Sequence, residues 1–322
     1  MRVLVTGGAG YIGSVITSRL LAQGHEATVY DDLSRGHRAA VPAGADLVCG
    51  DVRDEAALEV ALQQHRCDAI VHMAALAEVA ESVAQPELYR DVNLHGTESL
   101  LAAALACGVG RLVFSSTAAV YGAPASVPID EEADLKPINP YGQSKLAAEM
   151  ALREAASQGL GVTALRYFNA CGADGACGED HEPEPHLIPL ALRAAREERP
   201  LRVFGDDYPT PDGTCVRDYV HVVDLAEAHI SALEHLPERS GVFNLGTGTG
   251  NSVLEVLEAV EVITGRPVPR QFAGRRPGDP PALVASHARA SEALDWQPQR
   301  HLLQCVSDAW DWLRAHPEGY QE

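Results

Sequence analysis

The first half of the chain alternates short apolar runs with longer stretches of helical pattern. The apolar runs predict six strands, at residues 3–6, 26–30, 46–49, 69–72, 111–114 and 162–167. Between them, residues 11–23, 54–65, 86–107 and 140–157 have the composition and length of helices. Regular alternation of this kind predicts βαβ units, and therefore an α/β fold with a Rossmann-type, doubly wound parallel sheet.

The pattern changes after residue 170. Residues 171–185 are rich in Gly, Asp, Glu, His and Pro and predict a long loop. Shorter elements follow: helices near 187–196 and from 223, strands near 201–204 and 216–220, a Gly/Pro-rich stretch at 271–281, and two helical segments ending near 314. We expect a sheet domain over residues 1–170, joined by segments returning from the C-terminal half, and a smaller α+β lobe made mainly of residues 171–322. The cleft between them would hold a ligand.

A glycine-rich turn follows the first predicted strand and opens the first helix. Gly7, Gly10 and Gly13 have the spacing G-x-x-G-x-x-G, which lets the backbone approach a pyrophosphate at a helix N-terminus. Asp31 ends the second strand, where a carboxylate accepts hydrogen bonds from the adenosine ribose and selects NAD over NADP. The dipeptide Asp51-Val52 follows the third strand, where its aspartate would either meet the adenine or cap the next helix. These features predict NAD as the cofactor.

Two side chains suited to acid–base chemistry stand one helical turn apart near residue 140. Tyr141 and Lys145 form the pattern Y-x-x-x-K after Pro140, which puts both on one face of a helix. A free tyrosine has a pKa of about 10. A fixed ammonium beside a cationic nicotinamide would lower the pKa of Tyr141 towards about 7. Lys145 can also donate to the nicotinamide ribose. Thr117, after the fifth strand, supplies a hydroxyl that can pass a substrate proton to Tyr141.

Composition narrows the classes of function. A formal net charge of -20 over 322 residues argues against nucleic acid or an anionic membrane as a partner. Seven cysteines without a C-x-x-C pair indicate reduced thiols rather than a disulfide framework. With no secretory pattern at the N-terminus and no long apolar run, we expect a cytoplasmic protein. Of the 25 basic residues only Lys136 and Lys145 are lysines, so a specific role for Lys145 gains weight.

These motifs, together with several longer blocks, are similar to a known family. The blocks lie at residues 167–169, 178–181, 208–214, 216–222 and 275–279. With them, the chain resembles the extended short-chain dehydrogenase/reductases from end to end and, among these, the UDP-galactose (UDP-glucose) 4-epimerases. The resemblance implies an isomerase that inverts the C4 hydroxyl of a UDP-hexose through a transient 4-keto sugar, with NAD kept bound.

The resemblance also implies roles for individual residues. The catalytic residues are Thr117, Tyr141 and Lys145. The cofactor would contact Gly7, Gly10, Tyr11, Ile12, Gly13, Asp31, Asp51, Val52, Ala74, Asn93, Tyr141, Lys145 and Tyr167. The UDP-hexose would contact Thr117, Tyr141, Asn169, His186, Leu187, Phe204, Arg217, Arg276, Asp279 and Leu283. Within that set Phe204 packs on the uracil, the two arginines clamp the diphosphate, and Asp279 holds the uridine ribose.

The sequence departs from the family pattern at a few positions. Thr117 stands where the epimerases often have Ser, and His186 where they often have Asn. Ala77 replaces a Lys that many relatives place near the cofactor, and Ser286 replaces a usual Asp. In the family the residue four places after the ribose-binding Asp walls the hexose pocket. Here it is Leu283, so we expect good use of UDP-glucose and UDP-galactose and weaker use of UDP-N-acetylglucosamine.

Other functions compete with this interpretation. An epimerase of UDP-N-acetylglucosamine or of a UDP-pentose would carry the same motifs. A nucleotide-sugar dehydratase or reductase shares the scaffold, but dehydratases have an acidic pair after the catalytic Thr, where this chain has Ala118 and Ala119. A further alternative is a non-catalytic, NAD-sensing protein. Such a protein would not need the catalytic residues, which are intact in this chain. The acidic loop with His181 and His186 has the residue types of a metal site. Carboxylates and imidazoles in a solvated loop are, however, more often free than bound to a metal, so we expect no metal.

We expect a homodimer. The predicted helices at 86–107 and 140–157 are rich in small residues, which allow close helix approach. These residues include Ala102, Ala103, Ala147, Ala148 and Ala151. The relatives pair two such helices from each subunit into a four-helix bundle, and the resemblance implies the same assembly here.

Overall fold

The computed structural model describes residues 1–276 and 278–321. In its first half, strands and helices alternate as the hydrophobic pattern predicts. The strands are β1 (Arg2–Thr6), β2 (Glu26–Asp31), β3 (Asp46–Cys49), β4 (Ala69–His72), β5 (Arg111–Thr117) and β6 (Gly161–Tyr167). The helices are α1 (Tyr11–Ala22), α2 (Glu55–Gln64), α3 (Val79–Ala84), α4 (Pro86–Arg90), α5 (Gly96–Ala106) and α6 (Pro140–Ser157). Strand β5 runs to Thr117, beyond the apolar run that predicts it, and so carries the hydroxyls at its carboxyl end.

The helix predicted over residues 86–107 is interrupted. Between α4 and α5, residues Asp91–His95 form a single wide π-helical turn. Asn93 in this turn exchanges two hydrogen bonds with the Leu76 backbone, of 2.8 and 2.9 Å, and the Thr97 hydroxyl donates to the Asn93 carbonyl at 2.6 Å. Such turns are frequent at functional sites, and here the turn brings the Asn93 amide to the loop after β4.

The second half contains shorter elements. Its strands are β7 (Asn169–Cys171), β8 (Leu201–Phe204), β9 (Val216–Arg217), β10 (Tyr219–His221), β11 (Gly241–Leu245), β12 (Asn251–Ser252), β13 (Arg270–Ala273) and β14 (Ala282–Leu283). Its helices are α7 (Leu187–Glu197), α8 (Val222–His235), α9 (Val253–Thr264), α10 (Ala288–Leu294) and α11 (Leu302–Ala315). The single strand predicted at 216–220 is split because Asp218 turns inward, where its carboxylate accepts from the Thr247, Gly248 and Ala285 backbone amides.

Seven strands form one parallel sheet in the order β11-β6-β5-β4-β1-β2-β3. The chain builds outward from β1 in one direction through β2 and β3, and in the other through β4, β5 and β6. The strand order therefore reverses between β1 and β4, and the crevice at their carboxyl ends is the usual ligand site of such sheets. Strand β11 returns from the C-terminal half and pairs with β6.

Apolar side chains cover both faces of the sheet. Alternation along β1 sends Val3 and Val5 into the layer with α1 and α8, and Leu4 into the layer with α2, α5 and α6. A third apolar cluster joins α7, α9 and α11, with Leu192 and Val256 among its buried residues. In the described residues no helix is both long enough and apolar enough to cross a membrane.

Candidate active site

The glycine-rich turn lies at the carboxyl end of β1, where the strand order reverses. Gly7 has a φ of +69°, and a Cβ on it would lie 2.5 Å from the Ala74 backbone nitrogen that follows β4. A Cβ on Gly13 would collide with the Gly7 carbonyl. Gly10 is the N-cap of α1, whose first turn begins at Tyr11 and contains no acidic side chain. The turn therefore presents a bare helix N-terminus, which suits a phosphate group.

Asp31 ends β2 beside this turn, and its side chain is buried. Its Oδ2 accepts a hydrogen bond from the Ala9 N–H at 3.0 Å, and its Oδ1 accepts one from the Leu33 N–H at 2.9 Å. Burial raises the pKa of Asp31, whereas the two backbone donors act to lower it. Each carboxylate oxygen keeps a free lone pair, so both can still accept from the hydroxyls of a ribose.

Asp51 lies just beyond β3 and is partly exposed. Its carboxylate accepts from the Arg53 backbone N–H at 2.9 Å and pairs with the Arg53 guanidinium, which holds the pKa of Asp51 below its usual value. Helix α2 is capped instead by Asp54, whose side chain accepts from the Ala57 N–H at 3.0 Å. The alternative role of Asp51 as a helix cap is therefore wrong. Val52, next to it, is buried.

Two further residues of the predicted cofactor set are engaged within the protein. Besides holding the loop after β4, the Asn93 amide donates to the Ser144 hydroxyl on α6 at 3.0 Å. The Tyr167 hydroxyl at the end of β6 makes a short hydrogen bond with the Ser115 hydroxyl on β5. Both side chains therefore join neighbouring elements at the carboxyl edge of the sheet.

Thr117, Tyr141 and Lys145 come together where β5 ends against the start of α6. Asn139 caps α6, and its side chain accepts from the Gly142 N–H at 2.8 Å, so the helix begins where the sequence predicts. The Lys145 ammonium is buried and donates to the Ser115 carbonyl at 3.0 Å. The Thr117 hydroxyl lies beside the Tyr141 phenol, so that a base and a proton carrier are adjacent, and the Lys145 cation follows one turn along α6.

Burial is the main influence on the pKa values of the two titratable catalytic residues. Burial raises the pKa of Tyr141, and the Thr117 hydroxyl beside it acts in the opposite direction. Burial also lowers the pKa of Lys145 to about 7, while the Glu149 carboxylate one helical turn away acts to raise it. The lowering of the Tyr141 pKa that the sequence predicts requires the cationic nicotinamide as well as the ammonium and stays a prediction, since in the protein alone burial of the phenol dominates.

A buried ionic network behind the catalytic helix was not predicted. Glu149 on α6 forms a salt bridge with Arg166 on β6, with Oε2 2.6 Å from Nη2 and Oε1 2.9 Å from Nε. The Ser116 hydroxyl donates to the same carboxylate at 2.5 Å. Arg166 also donates to the Tyr121 hydroxyl at 2.9 Å, and this hydroxyl donates to the Asn244 side chain at 2.7 Å. The spacing of four between Lys145 and Glu149 was the available signal, because it places them on one helical face.

Three residues of the predicted substrate set meet around two short paired strands. Arg217 on β9 pairs in register with Leu283 on β14, and both are half-buried. The Arg217 guanidinium donates to the Pro280 carbonyl at 3.0 Å and lies 3.8 Å from the Asp279 carboxylate. A cation, a carboxylate and an apolar side chain are thus adjacent, although Arg217 is more than sixty positions from the segment that carries the other two.

The other predicted substrate residues lie on neighbouring segments. Phe204 ends β8, and the Arg276 guanidinium stacks on its ring 3.9 Å from the centroid. Asn169 begins β7, and its backbone N–H donates to the Asp218 carbonyl at 2.9 Å. His186 is the N-cap of α7, and Leu187 is the first residue of that helix.

The acidic loop before α7 folds into a compact cluster. His186 Nδ1 lies 2.6 Å from Glu179 Oε1 and 3.1 Å from Glu184 Oε1. His181 Nδ1 lies 3.4 Å from Glu179 Oε1 and 3.9 Å from Glu184 Oε2. Burial acts to lower the pKa of His186, but the two carboxylates outweigh it and raise that pKa to about 10. Burial likewise acts to raise the pKa of Glu179, but the two imidazoles hold it at about 2.

Comparison with known proteins points in the same direction as this geometry. A UDP-glucose 4-epimerase from Streptomyces lividans is 50% identical over 325 aligned residues, which cover 100% of this chain and 98% of that protein. A UDP-glucose 4-epimerase from Rhizobium meliloti is 49% identical, with 98% of each chain covered.

Solved structures of similar proteins have the same fold. The UDP-glucose 4-epimerase from Brucella ovis in complex with NAD is 47% identical and superposes with a TM-score of 0.93, covering 96% of this chain and 97% of the other. The UDP-glucose 4-epimerase from Bifidobacterium longum in complex with NAD+ and UDP is 39% identical, with a TM-score of 0.94 over 99% of this chain and all of the other. Residues 3–246 match the model of one family, so the chain belongs to the NAD dependent epimerase/dehydratase family.

Proposed function

We propose that this chain is an NAD-dependent isomerase that inverts the C4 hydroxyl of a UDP-hexose, interconverting UDP-glucose and UDP-galactose. The observation that carries the proposal is the placement of Thr117 beside Tyr141, with the buried Lys145 one turn along α6, at the same carboxyl edge of the sheet as the glycine-rich turn. Curated relatives named UDP-glucose 4-epimerase, 47–50% identical over almost the whole chain, support the same activity.

The cofactor is NAD, and the residues present fit it. The turn at Gly7 and Gly13 has no space for a Cβ, so the backbone alone can face a pyrophosphate. The Asp31 carboxylate keeps acceptor capacity for the adenosine ribose, whereas a 2′-phosphate would meet a buried negative charge there. Tyr11, Ile12, Asp51, Val52, Ala74 and Asn93 would complete the contacts. When bound, NAD supplies a reversible acceptor for the hydride at C4 of the sugar.

The chain's own residues manage the proton. Tyr141 accepts the proton of the C4 hydroxyl, either directly or through the Thr117 hydroxyl, and returns it after the sugar has turned over. Burial raises the pKa of Tyr141, so the phenolate requires positive charge close to it. Lys145 supplies one such charge, and its buried ammonium is held at the Ser115 carbonyl, where it can also donate to the nicotinamide ribose.

A UDP site on the opposite side of the cleft anchors the substrate while the hexose turns. Arg217 and Arg276 offer forked donors to the diphosphate, and this acidic protein needs such local positive charge. Phe204 packs on the uracil, and Asp279 accepts from the uridine ribose. The UDP site would be completed by Asn169, His186 and Leu187.

Leu283 sets the width of the hexose pocket. It is half-buried beside Arg217, and it lacks the ring of a tyrosine. The pocket would therefore turn over UDP-glucose and UDP-galactose efficiently and UDP-N-acetylglucosamine more slowly. Discrimination by pocket size is usually modest, about 1–3 kcal/mol per small group.

We further propose a homodimer formed through the face that α3, α4 and α6 share. The exposed apolar side chains of these helices include Val83 (65%), Leu88 (36%) and Met150 (57%). Two of the small residues that suggested a four-helix bundle lie inside the subunit. Ala103 and Ala148 are fully buried in the core of their own subunit, so they cannot contact a partner. The dimer would instead bury the exposed apolar side chains.

The test is an assay without added cofactor. The purified protein is incubated with UDP-galactose, and UDP-glucose is measured alongside the nicotinamide nucleotide released on denaturation. We expect epimerisation and released NAD rather than NADP. The matched control is Tyr141→Phe, which keeps the ring and loses the hydroxyl. Equal activity in the parent and Tyr141→Phe, or a content of NADP only, would contradict the proposal.

A further inference from the structure

Four ligand-type side chains converge in the loop between β7 and α7. Their donor atoms, one each from Glu179, His181, Glu184 and His186, all lie within 4.8 Å of one another. The four histidine-to-carboxylate distances among them range from 2.6 to 3.9 Å. The cluster lies beside Tyr11 at the glycine-rich turn, whose ring centroid is 6.5 Å from that of His181.

The cluster leaves two of its buried polar atoms without a hydrogen bond. Among the described residues, neither Glu184 Oε2 nor His181 Nδ1 has a hydrogen-bond partner, although both atoms are buried. The Glu184 side chain is only 1% exposed, so water does not compensate for it. An unpartnered carboxylate oxygen at this depth is costly, and buried charges in proteins are paired or coordinate metals.

We propose that Glu179, His181, Glu184 and His186 together bind one divalent transition-metal ion, and that Zn²⁺ fits the site best. Zinc takes imidazole nitrogens and carboxylate oxygens at about 2.0–2.2 Å in a tetrahedron, so its ligand atoms lie about 3.3–3.6 Å apart. The two orphaned atoms, His181 Nδ1 and Glu184 Oε2, are 3.9 Å apart, close to an edge of that tetrahedron.

The donor set also suggests what the ion does. Four protein ligands fill a tetrahedral site and leave no position for substrate, which is the arrangement of structural zinc. The mixed nitrogen and oxygen donors favour Zn²⁺ over Mg²⁺ or Ca²⁺, which prefer oxygen alone. The ion would tie residues 179–186 together and fix the start of α7, where His186 is the N-cap. Its positive charge would neutralise the two buried carboxylates.

This inference reverses the expectation of no metal that the sequence supports. In sequence the ligands read as a solvated acidic loop, with spacings of two, three and two residues that match no zinc motif. Folding buries the Glu184 side chain and brings both histidines onto the carboxylates. None of the four ligands belongs to the catalytic group Thr117, Tyr141 and Lys145, but His186 is shared with the proposed UDP site, so the ion would also fix one residue of that site.

The experiment measures metal directly in the full-length protein. The untagged chain is stripped with a chelator, and Zn²⁺ binding is followed by calorimetry and by mass spectrometry of the bound metal. We expect one Zn²⁺ per chain. Glu184→Gln and His181→Gln should each weaken binding by at least ~10–100-fold, the loss that even outer-shell substitutions cause. The matched control is Glu182→Gln, an exposed residue of the same loop, which should bind like the parent.

A second measurement does not depend on how the variants fold. Co²⁺ added to the stripped parent should give the intense visible absorption of a tetrahedral Co²⁺ site, and Zn²⁺ should abolish it. The proposal is overturned if the parent binds no Zn²⁺ at one equivalent and shows no such absorption. It is also overturned if folded Glu184→Gln binds Zn²⁺ as tightly as Glu182→Gln. In either case the cluster would be an ion-pair network held by protons.

Discussion

Neutralising Glu149 tests whether the ionic network behind the catalytic helix supports both the fold and the chemistry. The side chains of Glu149 and Arg166 are 1% and 2% exposed, and two hydrogen bonds of 2.6 and 2.9 Å join them. Glu149→Gln keeps the volume and removes the charge. It would leave the Arg166 guanidinium buried without a counter-ion, and the Ser116 hydroxyl with a weaker acceptor.

The expected loss of stability is large. Removing one partner of a buried ion pair costs about 3–5 kcal/mol, because the other charge stays buried and uncompensated. Arg166→Met should cost a similar amount for the same reason. The double variant should lose less than the sum of the two single changes, since no orphaned charge remains. Urea unfolding followed by circular dichroism measures all three free energies. The matched control is Glu154→Gln, which is exposed on the same helix and should change stability by less than about 0.5 kcal/mol.

The same substitution should alter the pH dependence of activity. Burial lowers the pKa of Lys145 to about 7, and the Glu149 carboxylate acts to raise it. Without that carboxylate the ammonium loses its proton at lower pH, so the alkaline limb of the kcat profile should move to lower pH. A variant within about 1 kcal/mol of the parent in stability, with an unmoved pH profile, would refute this account of the network.

Three further predictions address the site and the assembly. Tyr141→Phe should lower kcat by about 10²–10⁴-fold while the bound NAD measured after denaturation stays the same; a nearly unchanged kcat would remove the phenol from the chemistry. Leu283→Tyr should lower kcat/KM for UDP-N-acetylglucosamine relative to UDP-galactose by about 10-fold or more, and an unchanged ratio would show that Leu283 is not the gate. Met150→Glu should shift the protein towards monomer in light scattering, because it puts a charge into the proposed apolar interface; an unchanged dimer would place the interface elsewhere.

The hydrophobic pattern predicted the first half of the fold well because most of its strands are buried on both faces. Such strands appear as continuous apolar runs, and β4, whose four residues are all buried, has the predicted bounds. The pattern missed α9, although Ser252 and Glu255 form a capping box that marks its start in the sequence. It also missed β11, a short strand whose place beside β6 depends on long-range pairing.

Some features of the candidate site likewise follow from local sequence spacing, whereas others depend on how the chain folds. The relation of Tyr141 to Lys145 follows from the helical period, and the structure has both on α6 with the start predicted for it. The pKa of Tyr141 is raised because folding buries the phenol, and the sequence alone does not show how deep that burial is. The network that reaches Asn244 joins residues as far as 123 positions apart, and no local spacing indicates such a contact.

The most direct test of the proposed function follows the hydrogen at C4 of the sugar. UDP-galactose labelled with deuterium at C4 is incubated with the purified protein in ordinary water without added NAD, and the UDP-glucose formed is examined by mass spectrometry and NMR. The account predicts that the deuterium is retained at C4 of the product, because the hydride leaves and returns within one closed pocket. Formation of UDP-glucose that has lost the label to solvent, or no UDP-glucose at all, would contradict it.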